Sequence, residues 1–146
     1  MKRVITATRF HDFSMGHKVT GHENKCAHLH GHNYRVHFTL QSSEGQDDLG
    51  RVIDFSVIKS KLCDWLEEEW DHKFLIYDFD PKADELLALF PDDIIKVPFN
   101  PTAENMAKYL CEIVAVEQLS KTGCVLIKCE IEETRKCRAS YEISSK

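Results

Sequence analysis

His30-Gly31-His32-Asn33-Tyr34-Arg35-Val36-His37-Phe38-Thr39-Leu40 alternates without a break. His30, His32, Tyr34, Val36, Phe38 and Leu40 fall in one phase; Gly31, Asn33, Arg35, His37 and Thr39 fall in the other. A period of two sustained this long marks a strand with one face in a core. Upstream, Phe13, Met15 and His17 share a phase, which predicts a partner strand. Arg9 and His11 bring polar groups into that same phase, so a bulge or a late strand start is expected near Arg9–Asp12. The polar stretch from Lys18 to Lys25 joins the two strands.

Downstream the period changes. Ser42 to Asp48 is a loop by composition. Asp54 is suited to cap a helix over 55–70 that turns Ile58, Leu62, Trp65, Leu66 and Glu69 to one side. Residues 78–98 read as a loop with one helical turn around Glu85–Leu89. Thr102, after Pro101, caps a second helix that carries Met106, Leu110, Ile113 and Val114 inward. After Gly123, alternation returns from Cys124 to Glu133, with Val125, Ile127, Cys129, Ile131 and Glu133 predicted on one face. A last short strand is expected over Arg138–Ile143. The order ββααββ predicts an α+β fold: a four-stranded antiparallel sheet with two helices on one face. Two open sheet edges need cover, a physical reason to expect oligomerisation.

At 146 residues the chain is expected to be one domain, residues 1–146. No apolar run approaches the roughly 20 residues that span a bilayer, so no membrane partner is expected. Its 24 acidic against 19 basic residues give a net charge of −5, which argues against a nucleic-acid coat protein. A small anionic substrate held by a few local cations stays compatible with that charge. The N-terminus, Met1 to Arg9, lacks the apolar stretch of a signal peptide, so a cytoplasmic protein with reduced thiols is expected. None of the six cysteines pairs at CxxC spacing, and all except Cys26 are expected to be small core residues.

Chemistry concentrates around the histidines. His30 and His32, two apart on a strand, point the same way about 6.5–7 Å apart along the backbone. That spacing lets two ring nitrogens converge on one cation at about 2.0–2.1 Å. An isolated pair of this kind is most simply surface polarity. Here it continues the apolar phase of Tyr34, Val36 and Phe38, where polar groups need partners. His17, at the end of the preceding strand, is the best third ligand; His22 and His28 are alternatives. Three histidines with an open fourth position are a catalytic arrangement that favours zinc, with iron, cobalt or nickel fitting similar ligands.

Cys26 has Lys25 and nearby histidines as neighbours and is either a spectator loop thiol or one activated by positive charge. Asp71-His72, just past the first helix, is either a helix-end charge pair or a proton relay able to work with Cys26. Glu133, in the core phase of its strand, either reaches water or accepts the paired N–H donors of a guanine- or pterin-like edge.

Together these segments resemble the 6-pyruvoyl-tetrahydropterin synthase superfamily. The resemblance is carried by Phe13-Ser14-Met15-Gly16-His17-Lys18, Cys26-(x3)-His30-Gly31-His32-Asn33-Tyr34, Val52-Ile53-Asp54-Phe55 and Trp70-Asp71-His72-Lys73-Phe74-Leu75. Asn100-Pro101-Thr102-Ala103-Glu104-Asn105, Glu132-Glu133-Thr134-Arg135 and Ala139-Ser140-Tyr141 complete it. The short Cys-(x3)-His-Gly-His spacing is similar to the bacterial 6-carboxy-5,6,7,8-tetrahydropterin synthases of 7-deazaguanine (queuosine) biosynthesis. Animal-type pyruvoyl synthases carry a longer insert there, and folate-bypass relatives carry Glu where this chain has Cys26. The resemblance implies a tunnelling fold assembled as a homohexamer, a dimer of trimers with active sites at subunit contacts. It implies zinc on His17, His30 and His32, Cys26 with Asp71 and His72 as catalytic residues, and Glu133 as substrate anchor. The implied substrate is a pterin triphosphate, 7,8-dihydroneopterin 3′-triphosphate, with Lys18, Lys25, Arg135 and Lys136 as candidate phosphate contacts. A pyruvoyl synthase, or a pterin or metal binder without turnover, are the competing readings.

Overall fold

The structure, a computed structural model, describes residues 1–22 and 28–144. The chain begins with β1 (Ala7–Lys18) and β2 (His30–Ser42), paired antiparallel in unbroken register from Ala7 opposite Leu40 to His17 opposite His30. The bulge expected near Arg9–Asp12 is absent. The polar groups in the core phase are satisfied at the rim: His11 bonds Glu67 at 2.6 Å and Arg9 donates to the Phe55 carbonyl at 3.2 Å. A regular strand therefore costs no buried polar group there.

Helix α1 spans residues 55–69: Phe55–Ile58, a π turn over Lys59–Cys63, then Asp64–Glu69. Asp54 caps it by accepting from the Ser56 N–H. Next come β3 (Phe74–Tyr77), α2 (Ala83–Leu89) and β4 (Ile94–Val97). Helix α3 covers residues 103–118: Ala103–Tyr109, a second π turn over Leu110–Val114, then Ala115–Gln118. Thr102 caps it by accepting from the Asn105 N–H. Strands β5 (Cys124–Glu132) and β6 (Arg138–Glu142) close the fold. Among the described residues no helix is long and apolar enough to cross a membrane.

The six strands form one sheet in the order β4-β3-β1-β2-β5-β6. The expected α+β class holds, but four antiparallel strands and two helices fall short of six strands and three helices. The two extra strands, β3 and β4, run parallel to β1 and to each other. Leu75 joins the main core, while Ile76 packs with Ala83 and Ile94 beneath α2. Buried on both faces, β3 carries no alternation to betray it.

The main core gathers Phe13, Met15, Tyr34, Val36, Phe38 and Leu40 against Leu62, Leu66, Met106 and Leu110. Each fully buried side chain of this kind contributes about 1.5–3 kcal/mol. Two expected core assignments fail for a common reason, a local change of period. A register shift between Thr39 and Leu40 puts Leu126 and Cys129 inside and leaves Val125 48% exposed, so Val125 and Ile127 do not share the face of Cys129 and Ile131. The π turn in α3 likewise brings Cys111 and Ala115 inward and leaves Ile113 52% exposed. Cys63, Cys111, Cys124 and Cys129 are buried as expected, but Cys137 is exposed.

Candidate active site

Strand pairing builds the centre of the site. His17 lies opposite His30 across the β1–β2 ladder, and Met15 lies opposite His32. All three imidazoles share the phase of the core face, and one nitrogen from each lies within 4.8 Å of the others. His17 is buried; His30 and His32 are half-buried. Two nitrogens bound to one tetrahedral zinc stand about 3.3 Å apart, and His17 Nε2 is 3.0 Å from His30 Nε2.

Hydrogen bonds at the far side of each ring decide what those nitrogens carry. His17 Nδ1–H donates to the Pro101 carbonyl at 2.6 Å, and His30 Nδ1–H donates to the His28 carbonyl at 2.8 Å. A neutral imidazole has one proton, so both Nε2 atoms present lone pairs to each other. Nε2 of His32 is buried and makes no hydrogen bond. Its neighbour Glu133 places Oε1 3.3 Å away without hydrogen-bond geometry. Burial pushes the pKa of His17 and of His32 down, favouring the neutral, ligating form, while the Glu133 charge opposes that shift. Two lone pairs facing each other beside a third, unpartnered ring nitrogen suit a cation, so the donor set fits a divalent metal ion.

Asp71 and His72 are delivered elsewhere. Trp70, buried against Phe13, Trp65 and Tyr109, plugs the end of α1. The turn that follows is stitched to β1: Ser14 N–H donates to Asp71 Oδ1 at 3.0 Å, His72 N–H to the Ser14 carbonyl at 2.7 Å, and Gly16 N–H to the Lys73 carbonyl at 2.9 Å. His72 adopts φ +60°, a left-handed conformation that histidine tolerates better than most residues. Its ring donates to Asp71 Oδ2 at 2.8 Å, and its side chain is 80% exposed. Burial raises the Asp71 pKa, but the bonds from Ser14 and His72 outweigh it and hold the carboxyl below its ordinary value. His72 and Lys73 line a cleft of about 380 Å³ with Ser14, Gly16, Gly31 and Asn33, and Met15 and His32 of the triad's phase also reach its wall. Within one chain, then, Glu133 stands beside His32, while the Asp71–His72 pair is bonded to the main chain of Ser14 at the edge of β1.

Cys26 and Lys25 lie outside the described residues. Of the other phosphate candidates, Lys18 is already held by the buried carboxylate of Asp80 at 2.9 Å, whereas Arg135 and Lys136 are exposed. His28 contributes its carbonyl rather than its ring to the triad. Burial pushes the Cys63 thiol up to about 11 and raises Cys124 and Cys129 as well, which makes them poor nucleophiles. Sequence reasoning missed the Pro101 carbonyl, because a main-chain acceptor has no residue-type signature.

A model of the 6-pyruvoyl tetrahydropterin synthase family matches residues 6–144. The chain belongs to that family. Within the 6-pyruvoyl tetrahydropterin synthase family, the chain is similar to the 6-carboxy-5,6,7,8-tetrahydropterin synthase of Rickettsia typhi, with 32% identity over 135 residues, 92% of this chain and 97% of that one. The enzyme of the same name from Rickettsia felis is 36% identical over 108 residues, 73% of this chain and 78% of that one. The crystal structure of a protein from Wolinella succinogenes matches with a TM-score of 0.82 at 26% identity, covering 97% of this chain and 99% of that one. The 6-pyruvoyl tetrahydropterin synthase of Caenorhabditis elegans matches with a TM-score of 0.67 at 25% identity, covering 97% of each chain. Membership of the 6-pyruvoyl tetrahydropterin synthase family and these relatives make the chain an enzyme of the lyase class.

Proposed function

We propose that residues 1–146 form one zinc-dependent 6-carboxy-5,6,7,8-tetrahydropterin synthase domain of 7-deazaguanine (queuosine) biosynthesis, acting in the cytoplasm. It converts 7,8-dihydroneopterin 3′-triphosphate and one water to 6-carboxy-5,6,7,8-tetrahydropterin, acetaldehyde and triphosphate. The observation that carries this reading is the convergence of three imidazole nitrogens with no proton between His17 and His30. The names of the curated relatives, 6-carboxy-5,6,7,8-tetrahydropterin synthases, support the product.

His17, His30 and His32 hold the metal. Bound zinc supplies Lewis acidity, which acidifies the hydroxyls of the substrate side chain. Glu133, beside His32, accepts the N–H donors of the pterin edge and fixes its orientation; such placement supplies a large part of a rate enhancement. The Cys26 thiolate takes a proton from the side chain, which moves into the pterin ring before triphosphate loss and C–C cleavage. Asp71 holds His72 through Nδ1, leaving Nε2 free to pass the proton that sets the state of the thiol. Because that pair faces away from its own triad, it serves a neighbouring subunit in a homohexamer, a dimer of trimers. Light scattering should report six chains; a monomer would leave Asp71 and His72 without a site.

A pyruvoyl synthase is the second reading, favoured by the matching solved structure from Caenorhabditis elegans. Mass spectrometry of the product from dihydroneopterin triphosphate separates the two. A 6-carboxy product with acetaldehyde is expected; an intact three-carbon dicarbonyl side chain refutes the carboxy-synthase reading. Bound zinc with no turnover would leave a binder.

A further inference from the structure

The ring of His17 is aimed by a main-chain carbonyl, and that carbonyl sits in a turn with its own support. Pro101 is buried between the end of β4 and the cap of α3. Asn100, just before it, pairs both ends of its amide with the main chain of Thr20. Thr20 N–H donates to Asn100 Oδ1 at 2.8 Å, and Asn100 Nδ2 donates to the Thr20 carbonyl at 2.8 Å. Thr20 follows His17 by three residues, so this side chain acts as one rung of a ladder between the exit of β1 and the turn carrying Pro101. The Asn100 carbonyl is pinned in turn, accepting from Thr102 N–H at 2.7 Å and from Asn105 Nδ2 at 2.9 Å. Asn105 also donates its main-chain N–H to Thr102 Oγ1 at 3.1 Å. On the far side, the Thr20 hydroxyl donates to the buried Asp80 carboxylate at 2.6 Å.

We propose that Asn100 is a positioning residue for the metal centre: its double bond to the Thr20 main chain holds the Pro101 carbonyl against Nδ1 of His17. With the carbonyl held there, His17 is locked as the Nδ1–H tautomer and its Nε2 lone pair is presented to the cation before the cation arrives. Remote hydrogen bonds of this kind orient ligands, and losing one typically costs about 10- to 100-fold in metal affinity. The inference rests on the metal reading above and adds a residue that touches neither metal nor substrate.

Two measurements on Asn100→Ala test it: zinc affinity by chelator competition, and the nitrogen spectrum of the histidine rings in zinc-free protein. Zinc affinity should fall about 10- to 100-fold, and His17 should change from one Nδ1–H tautomer to a mixture. Asp54→Ala, which removes the cap of α1 and lowers general stability, should keep wild-type affinity and tautomer. If Asn100→Ala does not fold, Asn100→Leu takes its place, since it fills similar space and removes both bonds to the Thr20 main chain; the same two changes are expected. Affinity within twofold of wild type with an unchanged tautomer overturns the inference, as does an equal loss in Asp54→Ala. Wild-type protein that takes up no zinc defeats both this inference and the metal reading, whereas zinc-binding wild type beside an equally tight Asn100→Ala defeats this one alone.

Discussion

A neutral imidazole binds a cation through one lone pair, and His17 and His30 have each committed their single proton to a carbonyl oxygen. Burial around His17 and His32 favours their neutral form, so a cation bound at the triad would offset the cost of gathering three rings. Cys26 has a different part. Cys26→Ala should keep its zinc, measured by elemental analysis, while turnover falls by at least about 100-fold, the scale of general acid–base contributions; normal turnover would remove it as the base. At this scale the sequence was legible where side-chain type and period agree: His30 and His32 two apart, His17 in the Phe13–Met15 phase. It was silent on the Pro101 carbonyl and on the face to which Asp71 and His72 are sent. That face depends on main-chain bonds from Ser14 and Gly16, which any residue type makes.

At the scale of elements, the β1 exit and the β3–α2 loop meet at Asp80. Its buried carboxylate accepts from Thr20 Oγ1 at 2.6 Å, from Lys82 N–H at 2.8 Å and from Lys18 Nζ at 2.9 Å. Burial pushes the Asp80 pKa up, but these donors outweigh it and leave it below the ordinary 3.8. The sign follows: the carboxylate contributes its full stability above about pH 3.8 and loses it as pH falls through the lowered folded value. Asp80→Ala should therefore cost about 3 kcal/mol at pH 7, and the gap to wild type in urea melts should narrow only below pH 3.8. A constant gap down to pH 2 would show that the charge does not matter. The helices were legible from Asp54 and Thr102, whose side chains cap as their types suggest. Strands β3 and β4 were not, because four-residue runs buried on both faces lack alternation. The phase slips at Ile127 and Ile113 come from a bulge and a π turn that tertiary packing imposes.

Across the whole molecule, one sheet divides two kinds of chemistry. The helix-covered face carries the histidine triad, which could hold a metal ion, and Glu133, while His72 and Lys73 line a cleft with Ser14, Gly16, Gly31 and Asn33 that His32 also borders. In the proposed assembly, Asp71 and His72 of one chain would complete the site at a neighbour's triad. The match to the 6-pyruvoyl tetrahydropterin synthase family, over residues 6–144, spans the triad, Asp71, His72 and Glu133. Everything proposed for catalysis nonetheless depends on a cation at the triad. X-ray absorption at the zinc edge, on protein purified with its metal and counted by elemental analysis, tests it most directly. The account predicts one zinc per chain with three imidazole nitrogens at about 2.0–2.1 Å, lost in His30→Ala. Zinc retained undiminished in His30→Ala, or no metal taken up by wild type, would contradict it.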